Sequence, residues 1–450
     1  MIPVTRPLAR YVVQARFEDF PLAVRHAGTR AFVNWLGCVL GGCREAVSDH
    51  AIAAYGAFAG PPQATVIGRP LRFDAPTAAL LNTMANFAHG YNDTHLATVA
   101  HPTGAAASAA FAQSERVPAS GQAFSQALIL GAEVACRMAA LIAAPPARSH
   151  VGLSTHGLSN VFGAAAATGK LLGLDEDRMV WALGLACMQA AGLRSAYGTM
   201  GTKLIAGHAA RCGMMAAYLA QAGFTCSETP IEDPKGFAAV FADPPNPAAA
   251  IEGLGQHFEL LQVAYKPYPC GVVIFPAIDA CLQLAAVAGF QADAAKQIEL
   301  RVHPLVLQLC NRPDPRDRIQ ALTSLQHWAA VSLQHRAAGL KQGADDSVRD
   351  ALTRSLRGRM TVMADPALAA SAASVMVVMD DGSRLEARVT DYQGSLEQPM
   401  TDQGLGEKFI NQALLVMPQA RAEALLAEAW QLVSMNDVGA LASRHLLLGD

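Results

Sequence analysis

Apolar residues recur at helical spacing from Phe20 to Leu40, and the run closes on Gly41-Gly42, a helix-ending pair. Ser48 is expected to cap a short second helix that Gly60-Pro61-Pro62 terminates. A third should start near Asp74 with Pro76 in its first turn, present Leu80, Leu81, Met84 and Phe87 on one face, and run out at Gly90. The same period predicts helices over 105–114, from Ser120 through Met138, along the small-residue run GLSNVFGAAAATGKLLGL, from Asp175 through Ala191, and from about Lys203 through Ala222 with Gly223 as C-cap. Up to about residue 260 the whole pattern reads as helix. Then the texture changes. YKPYPCG (265–271) is a proline-rich break, Ile298–Val302, Met360–Met363 and Ser374–Met379 read as strands, and Asp380-Asp381-Gly382 joins the last of these to Arg384–Val389 as a hairpin. Helices near Asp317–His335 and Asp346–Leu356 lie between them, and from Thr401 the pattern is helical again through Leu447. The expected fold is mainly α: a large all-helical domain formed from both chain ends (1–264 and 402–450) around a smaller inserted α+β domain (265–401).

Composition narrows the class. With 450 residues, 52% hydrophobic and 16% charged, the chain can bury a large core, and its 6% aromatic content favours closely packed small-residue helices over a β-sandwich. The net charge of −3 and the lack of long Lys/Arg runs leave no electrostatic footprint for nucleic acid. The apolar runs 180–193 and 138–144 stop at Arg194 and at Pro145-Pro146, short of the ~20 residues that a bilayer requires, so no membrane span is expected. The first twenty residues have no apolar core or small-residue cleavage site, so the default compartment is the cytoplasm. The nine cysteines are widely spaced and read as reduced core thiols, while the absence of C-x-x-C and H-E-x-x-H argues against zinc or an iron–sulfur cluster.

The candidate chemistry centres on Ala85–Gly104, ANFAHGYNDTHLATVAHPTG, where polar and titratable residues are packed between almost purely apolar helices. Buried polar groups need partners, and a site is a reason to tolerate them. Pro102 holds His101 out of α geometry, and Thr103-Gly104 opens the next helix. Further along, His150 and His156 precede a small-residue helix, Lys203 and His208 follow the glycine-containing loop Tyr197–Lys203, and Lys266 sits in the proline-rich break. Singly, each has a plain structural reading: Asp93 as a turn cap, His95 pointing outward, His208 as a helix residue, Lys203 as a first-turn lysine. Together on helix-end loops they point to a site. The glycines around Lys203 bare backbone amides beside a helix N-terminus, so Lys203 with Thr199 and Thr202 is expected to form an anion site, although no Walker A pattern is present. Two lysines and several imidazoles with few acids suit a substrate with more than one carboxylate, whose enolate-like charge fixed cations would stabilise while imidazole moves the proton. The spacing of Asp93, His95 and His101 fits no standard metal site, so proton chemistry without metal or cofactor is expected.

The segments YNDT, HPTGAAASAAFAQSE, THGLSNVFGAAAATGKLLGL, GTMGTKLIAGHAARCGMMAAYLAQAGFT, YKPYPCG and GSLEQPM with LGEKF span nearly the whole chain. In these the chain resembles the MmgE/PrpD family, which includes 2-methylcitrate dehydratase, cis-aconitate decarboxylase and iminodisuccinate epimerase. The resemblance implies a helical domain with an inserted α+β lid, a homodimer, and a site between the domains without metal or cluster. It also implies Asp93, His101, His156 and Lys203 as catalytic residues and Thr94, Lys203 and Lys266 as substrate contacts. Three positions depart from the family pattern: Gly90 stands where an acid is usual, Phe275 where a His is common, and Leu309 where the decarboxylase has a Tyr two before Asn311-Arg312-Pro313. The leading expectation is a dehydratase of the 2-methylcitrate type, removing a proton next to a carboxylate of a di- or tricarboxylic acid. The alternatives are a dicarboxylate epimerase, a cis-aconitate decarboxylase-like enzyme, and a non-catalytic carboxylate binder.

Overall fold

A computed structural model describes residues 2–449. The first part of the chain is a stack of helices: α1 (Thr5–Gln14), α2 (Leu22–Gly42), α3 (Ala46–Gly56), α4 (Ala75–Phe87), α5 (Thr103–Arg116), α6 (Gly121–Ala143), α7 (Thr155–Leu171), α8 (Glu176–Cys187) and α9 (Gly201–Gln221). The starts of α4, α6 and α8 follow capping residues. Asp74 accepts the Thr77 N–H at 3.0 Å, Ser120 that of Ala123 at 3.2 Å, and Asp175 that of Arg178 at 2.8 Å. The ends differ from the sequence reading, α6 running on to Ala143 and α8 stopping at Cys187. Ser48 is not a cap: α3 begins after Glu45, and the Ser48 hydroxyl donates to the Gly42 carbonyl at 2.9 Å.

The reading of everything before residue 260 as helix is also corrected. A two-stranded ribbon, β1 (Ala64–Val66) with β2 (Leu71–Phe73), precedes α4, and β3 (Asp93–His95) pairs antiparallel with β4 (Val263–Tyr265). Strands this short leave no alternation for a sequence pattern to show. At the centre, α7 is buried on every side from Thr155 to Gly169, which its small residues permit. A Cβ at Gly163 would lie 2.6 Å from the Gly131 carbonyl, and one at Gly213 would lie 2.2 Å from that of Val161, so α6, α7 and α9 touch backbone to backbone there. α6 is long and apolar enough to cross a membrane by composition, but 89% of that window is buried inside the protein.

A separate hydrophobic core forms between Tyr268 and Tyr392. Its sheet has the order β6 (Met360–Ala364), β5 (Ala295–Val302), β7 (Ala373–Met379), β8 (Arg384–Val389), parallel between β5 and β6 and antiparallel elsewhere. The helices Phe275–Ala285 and Leu325–His335 contribute to the same core, with Trp328 fully buried. The helix expected over 317–335 is broken into Arg318–Ala321 and Leu325–His335, because Ser324 caps the second piece through the His327 N–H at 3.1 Å. The helix Asp402–Ala413 then returns to the first core, where Leu405 and Phe409 are buried with α2 residues. Beyond Trp430 the chain is not a continuous helix, only short turns at 432–434 and 442–446.

Candidate active site

Pairing of β3 with β4 sets Asp93 opposite Tyr265, so that the 90–101 stretch and Lys266 meet although far apart in sequence. The His101 ring Nδ1 lies 2.6 Å from the Asp93 carbonyl oxygen. A carbonyl only accepts, so the ring proton sits on Nδ1 and Nε2 keeps its lone pair. Burial pushes His101 well below the usual imidazole range, helped by Lys266, His156 and Lys203, and it is neutral near pH 7. The Asp93 carboxylate does not face the same space. It accepts the Thr103 N–H at 3.0 Å and the Thr103 hydroxyl at 2.5 Å, tying β3 to the start of α5. Thr94 is fully buried, its hydroxyl 3.3 Å from His101 Nδ1.

His156 enters from the first turn of α7, its ring centroid 5.1 Å from that of His101, with Phe87 against both. Burial, then Lys266, Arg194 and Lys203, push it down to about 3. Ser154 Oγ lies 3.3 Å from its Nε2 and the Tyr197 phenol 3.5 Å from its Nδ1. In the sequence Tyr197 marks only the start of a loop; in the fold it brings a protonated phenol beside the two imidazoles, burial keeping its pKa above the ordinary value.

Lys203 lies in the first turn of α9, nearly buried, its ammonium making no hydrogen bond or ion pair among the described residues. Burial, then Lys266 and Arg318, bring it down to about 7. The expected cradle of backbone amides is not open. The Gly201 N–H is taken by Thr199 Oγ1, the Lys203 N–H by the Met200 carbonyl, and both the Thr199 and Thr202 hydroxyls donate to the Ala196 carbonyl. What remains for an anion there is the lysine itself. Lys266 donates to the Gly90 carbonyl at 3.3 Å and Asn92 Oδ1 at 3.2 Å, neutral partners only, and burial lowers it to about 8. Arg194 Nε and Asn92 Nδ2 are buried donors without an acceptor among the described residues. Behind this layer, Lys408 from the C-terminal helix donates to the Tyr91 carbonyl at 2.6 Å and Asn34 Oδ1 at 2.7 Å, and its Nζ stands 4.4 Å from the Tyr91 ring centroid. Nothing in the spacing around Lys408 marks it in the sequence.

A cavity of about 140 Å³ opens among these groups. His101, His156, Lys203, Lys266, Arg194 and Tyr197 line it; Asp93 and Thr94 do not. The remaining polar candidates lie elsewhere. His95 is buried rather than outward, 3.0 Å from Glu259; His89 bridges Glu45 and Arg318; His150 is exposed; His208 sits beside Cys212 and the Gln189 carbonyl. No group of three metal-ligating side chains is placed to hold an ion among the described residues.

Residues 6–250 match the MmgE/PrpD N-terminal domain and residues 268–432 the MmgE/PrpD C-terminal domain. The chain belongs to the MmgE/PrpD family. Its relatives include a cis-aconitate decarboxylase of Aspergillus terreus, 26% identical across 97% of this chain and 95% of the relative. Those of Mus musculus, 27% identical, and Homo sapiens, 26% identical, align with 84% of this chain and with 80% and 81% of their own lengths. It is thus an enzyme of MmgE/PrpD type with decarboxylase relatives. The match to the family's C-terminal domain runs through the helix Gln419–Trp430, although residues after Met400 pack in the first hydrophobic core. Two of the three departures from the family pattern, Gly90 and Leu309, line the cavity. Phe275 does not; it is buried between Tyr268 and Tyr392, edge-on to both at 5.3 and 5.7 Å.

Proposed function

We propose that this MmgE/PrpD enzyme is a lyase acting on a small polycarboxylic acid, with bond cleavage and proton transfer at a carbon next to a carboxylate. One observation carries the reading: Lys203, Lys266 and Arg194 face the cavity with no carboxylate against them, around a neutral imidazole whose free nitrogen is His101 Nε2. Such a set binds anions and holds a base at neutral pH. Lys203 and Arg194 grip a carboxylate, so negative charge developing on the adjoining carbon spreads toward fixed cations. In a decarboxylation, the C–C bond breaks, its electron pair delocalises into the neighbouring carboxylate, and the carbon takes a proton from an acid in the site. In a dehydration, His101 Nε2 removes the proton and the Tyr197 phenol protonates the departing hydroxyl. Asp93 acts through its carbonyl, fixing the His101 tautomer, and is a positioning residue. The decarboxylase relatives favour the first course.

A second reading rests on the pairing of His101 with His156: two neutral bases on one cavity suit an epimerase that removes a proton at one face and returns it at the other. The experiment that separates them is incubation with cis-aconitate, 2-methylcitrate and iminodisuccinate in D₂O, followed by NMR. Loss of CO₂ with deuterium uptake at the carbon left behind, or loss of water, supports a lyase, deuterium exchange alone an epimerase, and no change with any acid at high enzyme concentration refutes both. We carry a homodimer, a cytoplasmic location and independence of cofactors as parts of the same proposal.

A further inference from the structure

One contact between the α+β part of the chain and the helical part stands behind the cavity rather than in it. Arg318 opens the short helix Arg318–Ala321, which Asp317 caps through the Gln320 N–H at 2.9 Å, and its own N–H is held by the Asp345 carboxylate at 2.7 Å. Its guanidinium crosses to the helical part as a fork. One arm meets Glu45, just before α3, at 2.7 Å, and the other donates to His89 Nδ1 at 2.5 Å. His89 Nε2 lies 2.9 Å from the Gly41 carbonyl and 3.2 Å from the other Glu45 oxygen, so the ring proton is on Nε2 and Nδ1 only accepts. Burial lowers the pKa of His89; burial raises that of Glu45, yet His89 and Arg318 bring it down to about 2. The trio is thus an ionised Glu45–Arg318 pair around a neutral imidazole. As a salt bridge it counts for little, since the Arg318 and Glu45 side chains are 22% and 31% exposed and pairs with that much solvent contribute weakly to stability. Its place in the chain matters more. His89 precedes Gly90, whose carbonyl accepts the Lys266 ammonium together with Asn92 Oδ1. On the other side Ile319, Leu322 and Thr323, in the turn that Arg318 begins, line the cavity, and a Cβ at Gly90 would stand 3.5 Å from the Leu322 side chain. One guanidinium therefore pins both the loop that aims Lys266 and the segment that faces it.

We propose that Arg318, held by Glu45 and His89, is a positioning residue that fixes the Gly90–Asn92 loop and, through it, the Lys266 ammonium at the cavity. This deepens the lyase reading and rests on it, because Lys266 serves there as a substrate contact. Arg318 itself does not line the cavity, so its effect on a ligand passes through the groups it holds. The competing role is one more positive charge in the neighbourhood, and the two roles differ in sign at Glu45. Removing a carboxylate from the surroundings of an anion site strengthens binding when charge alone matters. It weakens binding when Glu45 is what keeps Arg318 on His89.

The test is calorimetric binding of succinate at pH 6.5 to the full-length protein and to Arg318→Met, Arg318→Lys, Glu45→Ala, Lys266→Met and the double variant Arg318→Met/Lys266→Met, each checked for native circular dichroism. Arg318→Met should weaken binding about tenfold and Glu45→Ala about threefold, part of what a lost charge-assisted contact costs. Arg318→Lys keeps the charge and loses the fork, so it should behave like the Met variant. In the Lys266→Met background the Arg318 change should cost less than about twofold, because the group it aims is already gone. Tighter binding in Glu45→Ala, native affinity in Arg318→Lys, or an Arg318 effect undiminished by Lys266→Met overturns the positioning role while leaving the carboxylate reading intact, provided succinate binding is weakened in Lys203→Met. Should the Arg318 variants not fold, the sign at Glu45 decides alone. Failure of succinate to bind the native protein, or binding indifferent to Lys203→Met, overturns the carboxylate reading and the positioning role with it.

Discussion

Replacing Lys203 by Met should make the free protein more stable and the liganded one weaker, a combination that follows from the burial of an unpaired ammonium. In the folded protein Lys203 titrates at about 7 against an ordinary 10.5. Between those values the unfolded chain holds the proton and the folded chain does not, so stability contributed by this group rises with pH across that window. Below pH 7 both states carry the proton and the folded state bears the full penalty of a buried charge, on the order of 5 kcal/mol from the pKa difference. Relaxation and water entry reduce this, and about half is a sound expectation. Methionine keeps the stem and removes the charge without orphaning any partner, since Lys203 makes no side-chain hydrogen bond among the described residues. At pH 6.5 the variant should therefore melt a few degrees above the native protein by calorimetry, with the gap narrowing as pH rises to about 10. Affinity should move the other way, because a charge-assisted hydrogen bond to the ligand is worth about 1.5–3 kcal/mol, or roughly 10- to 150-fold in binding. Native affinity should weaken above about pH 7 as Lys203 deprotonates, and in the variant the decline should begin only near 8, where Lys266 titrates. A Lys203→Met protein that is less stable at pH 6.5, or that binds succinate as well as the native protein does, would refute the placement of a free cation in the cavity.

His101→Gln should lower kcat by about 10²- to 10⁴-fold with little change in substrate affinity, measured by single-turnover kinetics and calorimetry, since it removes a proton acceptor and no charge. Lys408→Met should lower turnover about tenfold or more although Lys408 does not line the cavity, because the Tyr91 carbonyl and Asn34 would lose their donor. Faster amide exchange over 90–93 in that variant, against unchanged exchange in α7, would tie the loss to this loop. Extended dialysis against a chelator should leave activity unchanged, and restoration of a lost activity by one divalent metal would refute the metal-free mechanism.

The elements that could be read from the sequence are those whose signals are local. Asp74, Ser120 and Asp175 each bond an amide within the next turn, so the starts of α4, α6 and α8 are visible residue by residue. The Asp380-Asp381-Gly382 turn is equally local, with Gly382 at φ +82°. By contrast β3 and β4 exist only because of each other; three residues each, they have no pattern of their own. Lys203 stands out as a first-turn lysine after a glycine loop, yet the amides beside it are spent on Thr199 and Met200, which spacing could not disclose. Asp93 draws the eye as an acid among histidines, and the Thr103 hydroxyl that occupies it is one more polar residue in the sequence. Lys408 is hidden for the opposite reason: a lysine in an amphipathic helix is ordinarily solvent-facing, and only the return of that helix onto α2 buries it.

The reach of Lys408 back to Asn34 and Tyr91 also governs when the enzyme can first work during its own synthesis. A ribosome that has released the α1–α9 region has made both imidazoles and Lys203, but not β4, Lys266 or the ammonium that clamps the Tyr91 carbonyl. The nascent chain thus holds an unclosed constellation, with the Tyr91 carbonyl lacking its ammonium partner, until translation has passed the Asp402–Ala413 helix.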